Sequence, residues 1–72
     1  MVMLFKPSQI RQIREAIGMT RMQFATELGV TEGAVFRWES DDYTRHPRFD
    51  TLVKINELAE QARKKGKLVL AS

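Results

Sequence analysis

The sequence contains no cysteine. Neither a disulfide framework nor a thiolate metal site can therefore brace it, and stability must come from packing of secondary structure or from a partner subunit. Histidine is represented by His46 alone. With no second histidine and no cysteine to join it, it offers no metal centre and no nucleophilic dyad, so no metal and no cofactor are expected. A glycine-rich phosphate loop is missing too, which leaves enzymatic activity as the least favoured class. The longest apolar runs, "MVMLF" and "LVLA", fall far short of a bilayer-spanning helix and lack the layout of a signal peptide. No membrane partner and a cytoplasmic location are the expectation. There is also no internal repeat and no low-complexity segment.

What is present is a chain of 72 residues, the length of one domain with a modest core. Lysine and arginine number 12 against 9 acidic residues, giving a net charge of +3 at pH 7. That balance is compatible with a polyanionic partner, but where the charges lie matters more than their sum.

The apolar pattern is helical for most of the chain. Ile10, Ile13 and Ile17 recur at spacings of three and four with Ala16 beside them, which predicts a first helix over about 7–17, with Pro7 in its first turn and Gly18 at its end. Thr20 can cap a second helix, about 21–28, whose inner face is Phe24, Ala25 and Leu28 and which Gly29 stops. Thr31 can cap a third, about 32–40; Val35 and Trp38 form its buried stripe, and Glu32, Gly33, Phe36 and Arg37 occupy its other faces. The stretch "SDDYTRHP" has no periodicity and reads as a loop. A fourth helix, about 48–64, turns Phe49, Leu52, Ile55, Leu58 or Ala59, and Ala62 inward. Asp50 near its start and Arg63, Lys64 and Lys65 near its end suit the helix dipole, and Gly66 opens a tail over 66–72. The fold class is all-α. Strand-like composition in "MVMLF" and "KLVLAS" adds the expectation of short β segments at the termini, paired within one chain or across a dimer; loose tails are the competing expectation.

A helix ended by glycine, a tight turn and a second short helix starting at a small hydroxyl residue is the layout of a helix-turn-helix unit. Thr20, Phe24-Ala25, Leu28-Gly29-Val30-Thr31, Val35, Arg37 and Trp38-Glu39, with Arg14 upstream and "HPRF" downstream, extend that layout into a specific pattern. Over roughly residues 6–58 the chain resembles the Cro and phage-repressor class of helix-turn-helix regulators, the Xre family. The resemblance implies a compact four-helix lambda-repressor-like fold that binds double-stranded operator DNA and regulates transcription, as a repressor. It also implies a partly buried salt bridge between Arg14 and Glu39, where the bland alternative is two solvated charges. The chemistry of single positions agrees with the pattern. Ala25 must be small where two helices cross closely, Gly29 must tolerate a positive φ, and Val30 can plug the core under the turn.

In such a unit the third helix reads bases, so Glu32, Gly33, Phe36 and Arg37 are the candidates for the groove. Arg37 is the strongest reader, because its guanidinium fork matches guanine O6 and N7; Glu32 can accept from cytosine N4, and Phe36 can press on a thymine methyl. The alternatives are a solvated charge for Arg37, a dipole partner for Glu32, and a dimer or core contact for Phe36. Arg21 leads the phosphate candidates, followed by Gln23 and Thr31, and by Arg45, His46 and Arg48 from the loop before the fourth helix.

The sequence also departs from the family. "SDD" stands where a glycine and a basic residue often follow the third helix, and Asp41 and Asp42 repel a nearby phosphate. Gly33 supplies no side chain at a reader position. A homodimer is expected, since pairing on a pseudo-palindrome with half-sites about 34 to 36 Å apart gains both affinity and specificity. Two further roles share the motif: an antitoxin that represses its own operon and binds a toxin as protein partner, and a helical adaptor that no longer binds DNA.

Overall fold

The computed structural model describes residues 4–40 and 46–68, which hold four α-helices: α1 (Pro7–Ala16), α2 (Arg21–Leu28), α3 (Glu32–Glu39) and α4 (Phe49–Lys64). Each boundary has a local cause. Pro7 opens α1 with the fixed φ of a first-turn residue, and the Lys6 N–H donates to Gln9 Oε1 at 2.9 Å. At the head of α2 the Thr20 hydroxyl accepts the Gln23 N–H at 3.1 Å, while Gln23 Oε1 accepts the Thr20 N–H at 2.9 Å, a reciprocal capping box. The Thr31 hydroxyl caps α3 by accepting the Ala34 N–H at 3.1 Å.

Between α2 and α3 the chain reverses through Gly29, whose φ of 73° lies in the left-handed region. The Val30 N–H then reaches back to the Ala25 carbonyl at 2.9 Å and the Gly29 N–H to the Thr26 carbonyl at 3.2 Å, so the last turn of α2 keeps its hydrogen bonds. Gly18 plays the same part after α1, with the Met19 N–H on the Arg14 carbonyl at 3.1 Å.

The core lies where the four helices meet. Ile10 and Ile13 of α1, Phe24 of α2, Val35 of α3 and Ile55 of α4 are almost wholly withdrawn from solvent. A fully buried side chain of this kind contributes about 1.5–3 kcal/mol by the hydrophobic effect, so these residues supply much of the drive to fold. Ala25, 3% exposed, allows α2 to approach α3 closely. Val30 is half-buried and packs against the core from beneath the turn.

The structure corrects several sequence expectations. Ile17 and Ser40 lie just outside α1 and α3 as C-caps, and Arg48 is the N-cap of α4, which begins at Phe49. Phe49 does not point into the core: it is 72% exposed. The stripe Leu52, Ile55, Ala59 and Ala62 is buried, but it begins only at Leu52, one turn after Phe49, where Pro47 and Thr51 are buried as well. No strand occurs among the described residues. Residues 1–3 and 69–72, which hold most of the anticipated terminal β segments, lie outside them. The inner ends of those segments, Phe5 and Leu68, belong to the helical core at 4% and 6% exposure.

Candidate nucleic-acid interface

Val35 and Trp38 fix the orientation of α3 by entering the core, and the helical period then decides what faces outward. Glu32, Gly33, Phe36 and Arg37 are all exposed. The Arg37 guanidinium has no ion pair or side-chain hydrogen bond among the described residues, which leaves its full donor fork available to a ligand. Gly33 is not demanded by packing: a Cβ there would meet only the Thr31 Oγ1, at 3.9 Å. The absent side chain therefore lowers the profile of α3 at this point without being required by the fold.

Behind this face, one buried carboxylate ties three helices together. Arg14 of α1 donates from Nε to Glu39 Oε2 at 2.7 Å and from Nη2 to Oε1 at 3.1 Å, a two-pronged fit of guanidinium on carboxylate. Its Nη1 donates to the Met19 carbonyl at 3.0 Å, so the same side chain also holds the turn that leads into α2. Arg21 of α2 adds a third donor to the carboxylate, from Nε to Glu39 Oε1 at 3.1 Å. The Glu39 side chain is only 2% exposed and that of Arg14 11%, so water screens the pair weakly. The hydrogen bond to Glu39 raises the pKa of Arg14; burial pulls it down in part, and the Glu39 and Glu15 charges add to the rise. Arg14 is thus a permanent cation.

The phosphate candidates are spread along the edges of α3. Arg21 is the first residue of α2 and its side chain is 39% exposed. Gln23 is exposed, and its use of Oε1 in the capping box leaves the carboxamide N–H groups as donors. Thr31 is exposed, and its oxygen serves as the α3 cap. His46 and Arg48 are exposed on the approach to α4, and together with Arg37 they line a cleft of about 240 Å³ floored by Val30, Ala34, Trp38, Pro47 and Thr51. Arg45, like Asp41 and Asp42, lies outside the described residues. The structure therefore brings Arg37, His46 and Arg48 together on one side of α3, and sets Arg21 beside Phe36 and Glu39 on another.

A helix presented in this way, on a second helix joined through a left-handed glycine, is the geometry that reads a major groove. The sequence profile of the helix-turn-helix family matches residues 10–59. The chain belongs to the Cro/C1-type helix-turn-helix family found in Xre-like regulators. No curated protein and no solved structure matches it. Membership of this helix-turn-helix family makes the chain a DNA-binding transcriptional regulator with an all-α fold. Within the described residues no helix is long and apolar enough to cross a membrane, and no group of acidic, histidine or cysteine side chains could hold a metal ion.

The contacts of Arg21 with Glu39 and Phe36 escaped sequence reasoning. Its partner Glu39 and its neighbour Phe36 are three residues apart on α3, a spacing that places them on one helical face, and this much was readable. That an arginine from the start of α2 falls between them depends on how the two helices cross.

Proposed function

We propose that this helix-turn-helix protein is a sequence-specific repressor that reads double-stranded operator DNA with α3. The observation that carries the proposal is the guanidinium of Arg37, unpaired among the described residues, on the outer face of a helix locked from behind by Val35, Trp38 and the buried Glu39. A fixed helix with an uncommitted fork can place two hydrogen bonds on guanine O6 and N7. Glu32, the first residue of the same helix, selects for a cytosine N4 donor. His46 and Arg48 on one flank and Arg21, Gln23 and Thr31 on the other hold the phosphates that set the register, and Arg45 is a further phosphate contact by its charge. Gly33 allows α3 to lie closer to the base edges than a side chain would permit.

The protein acts in the cytoplasm as a homodimer on a pseudo-palindrome, since a single eight-residue helix reads too few base pairs for a useful specificity ratio. Repression then follows from occupying a promoter. Selection of duplexes from a randomised library, followed by sedimentation of the complex, tests this directly. Enrichment of a palindromic sequence bound by two chains is the expected result. Enrichment of nothing would overturn it and shift weight to the antitoxin role, with a toxin as the partner to seek.

A further inference from the structure

Arg21 stands in an awkward place. It is the first residue of α2, where the helix dipole disfavours a cation, and no acidic residue shares that first turn to offset it. Its single ionic partner among the described residues, Glu39, is already held by both prongs of Arg14. Among the described residues, two arginines thus share one carboxylate where α2 meets α3. The guanidinium is nonetheless firmly seated. Nε is fixed on Glu39 Oε1 at 3.1 Å, and Cζ lies 5.1 Å from the centroid of the Phe36 ring. Nη1 and Nη2 have no hydrogen-bond partner among the described residues, and the side chain is 39% exposed. Phe36 itself is 54% exposed, so the core does not explain why a phenyl ring stands there.

We infer that Phe36 is a positioning residue whose ring and the Glu39 carboxylate together seat Arg21 as a pre-oriented phosphate clamp, and that Phe36 does not read a base. The inference rests on the DNA-binding function proposed above and assigns one of its side chains a different task. An arginine held by its Nε edge and by one face has little rotamer freedom left to lose, while its two terminal amino groups keep the donors that suit a phosphate. Because the seat is built from α3, a phosphate bound by Arg21 also fixes the recognition helix against the DNA backbone. The resulting affinity is independent of sequence.

The test compares wild type, Phe36→Leu, Phe36→Tyr, Arg21→Gln and the Phe36→Leu/Arg21→Gln double variant. Binding is measured by fluorescence anisotropy on a duplex selected by the wild type and on a scrambled duplex, across a potassium chloride series. Phe36→Leu should weaken both duplexes equally, by about two- to five-fold, and Phe36→Tyr should restore binding because it restores the π-face. Arg21→Gln should lower the salt slope by about one, and Phe36→Leu should have no further effect in its presence. A change in preference between the duplexes on Phe36→Leu, or an effect undiminished in the Arg21→Gln background, overturns the inference. A wild type that binds both duplexes alike defeats sequence-specific reading instead. In that case the salt slopes and the non-additivity on the scrambled duplex still decide the role of Phe36.

Discussion

Arg14 Nε and Glu39 Oε2 lie 2.7 Å apart, joining the last turn of α1 to the last residue of α3 behind the surface that α3 presents. The pair is more than a surface ion pair, because Glu39 also accepts from Arg21 and Arg14 also donates to the turn at Met19. Removing the carboxylate strands two guanidinium groups at once. Glu39→Ala is therefore expected to cost about 3–5 kcal/mol, the range for breaking a buried pair, against about 0–1 kcal/mol for an exposed one. Arg14→Lys should cost about 1.5–3 kcal/mol, since an ammonium cannot reproduce the fork. Urea denaturation of the three proteins measures both, and a loss below 1 kcal/mol for Glu39→Ala would place the network among ordinary surface pairs. The raised pKa of Arg14 makes its contribution complete at every pH below the guanidinium's own alkaline range, and lost only as pH rises through that range.

Gly29 and Gly33 should respond to alanine in opposite directions. At Gly29 the φ of 73° strains any residue with a Cβ, so Gly29→Ala should destabilise by about 1–2 kcal/mol. Gly33 sits inside α3, where a Cβ would make only an ordinary contact with the Thr31 Oγ1 at 3.9 Å, so Gly33→Ala should stabilise by about 0.5–1 kcal/mol. Thermal melts read both. A stabilised Gly29→Ala or a destabilised Gly33→Ala would show that the turn or the helix is built differently.

Phe49 offers a check on where the core ends. With its ring 72% exposed, Phe49→Ser should change stability by no more than about 0.5 kcal/mol. Leu52→Ala, one turn further into α4 and 4% exposed, should cost about 2–5 kcal/mol. Equal losses in denaturant midpoint for the two variants would mean that Phe49 packs inside after all.

These contrasts also mark how far the sequence could be read. Thr20, Thr31 and Gly29 were legible because caps and turns are local: a hydroxyl reaches an N–H three residues on, and a left-handed residue requires only its own backbone. The inward faces of α1, α2 and α3 followed from the 3.6-residue period. Phe49 was misplaced because the same period continues past the end of the core, and periodicity alone does not say where the opposing helices stop. The contact of Arg14 with Glu39 spans 25 positions and was suggested by the family resemblance, with no spacing rule behind it. Arg21 is legible as the leading phosphate candidate, but its seat on Phe36 and Glu39 depends on a crossing between helices that no local rule supplies.

The central claim, that α3 reads base sequence through Arg37, is tested most directly by the ratio of affinities for a selected and a scrambled duplex at one salt concentration, in wild type and in Arg37→Ala. The expected result is a loss of about 1–3 kcal/mol on the selected duplex, a much smaller loss on the scrambled one, and hence a reduced ratio. An unchanged ratio in Arg37→Ala would contradict the claim and reduce Arg37 to a solvated charge.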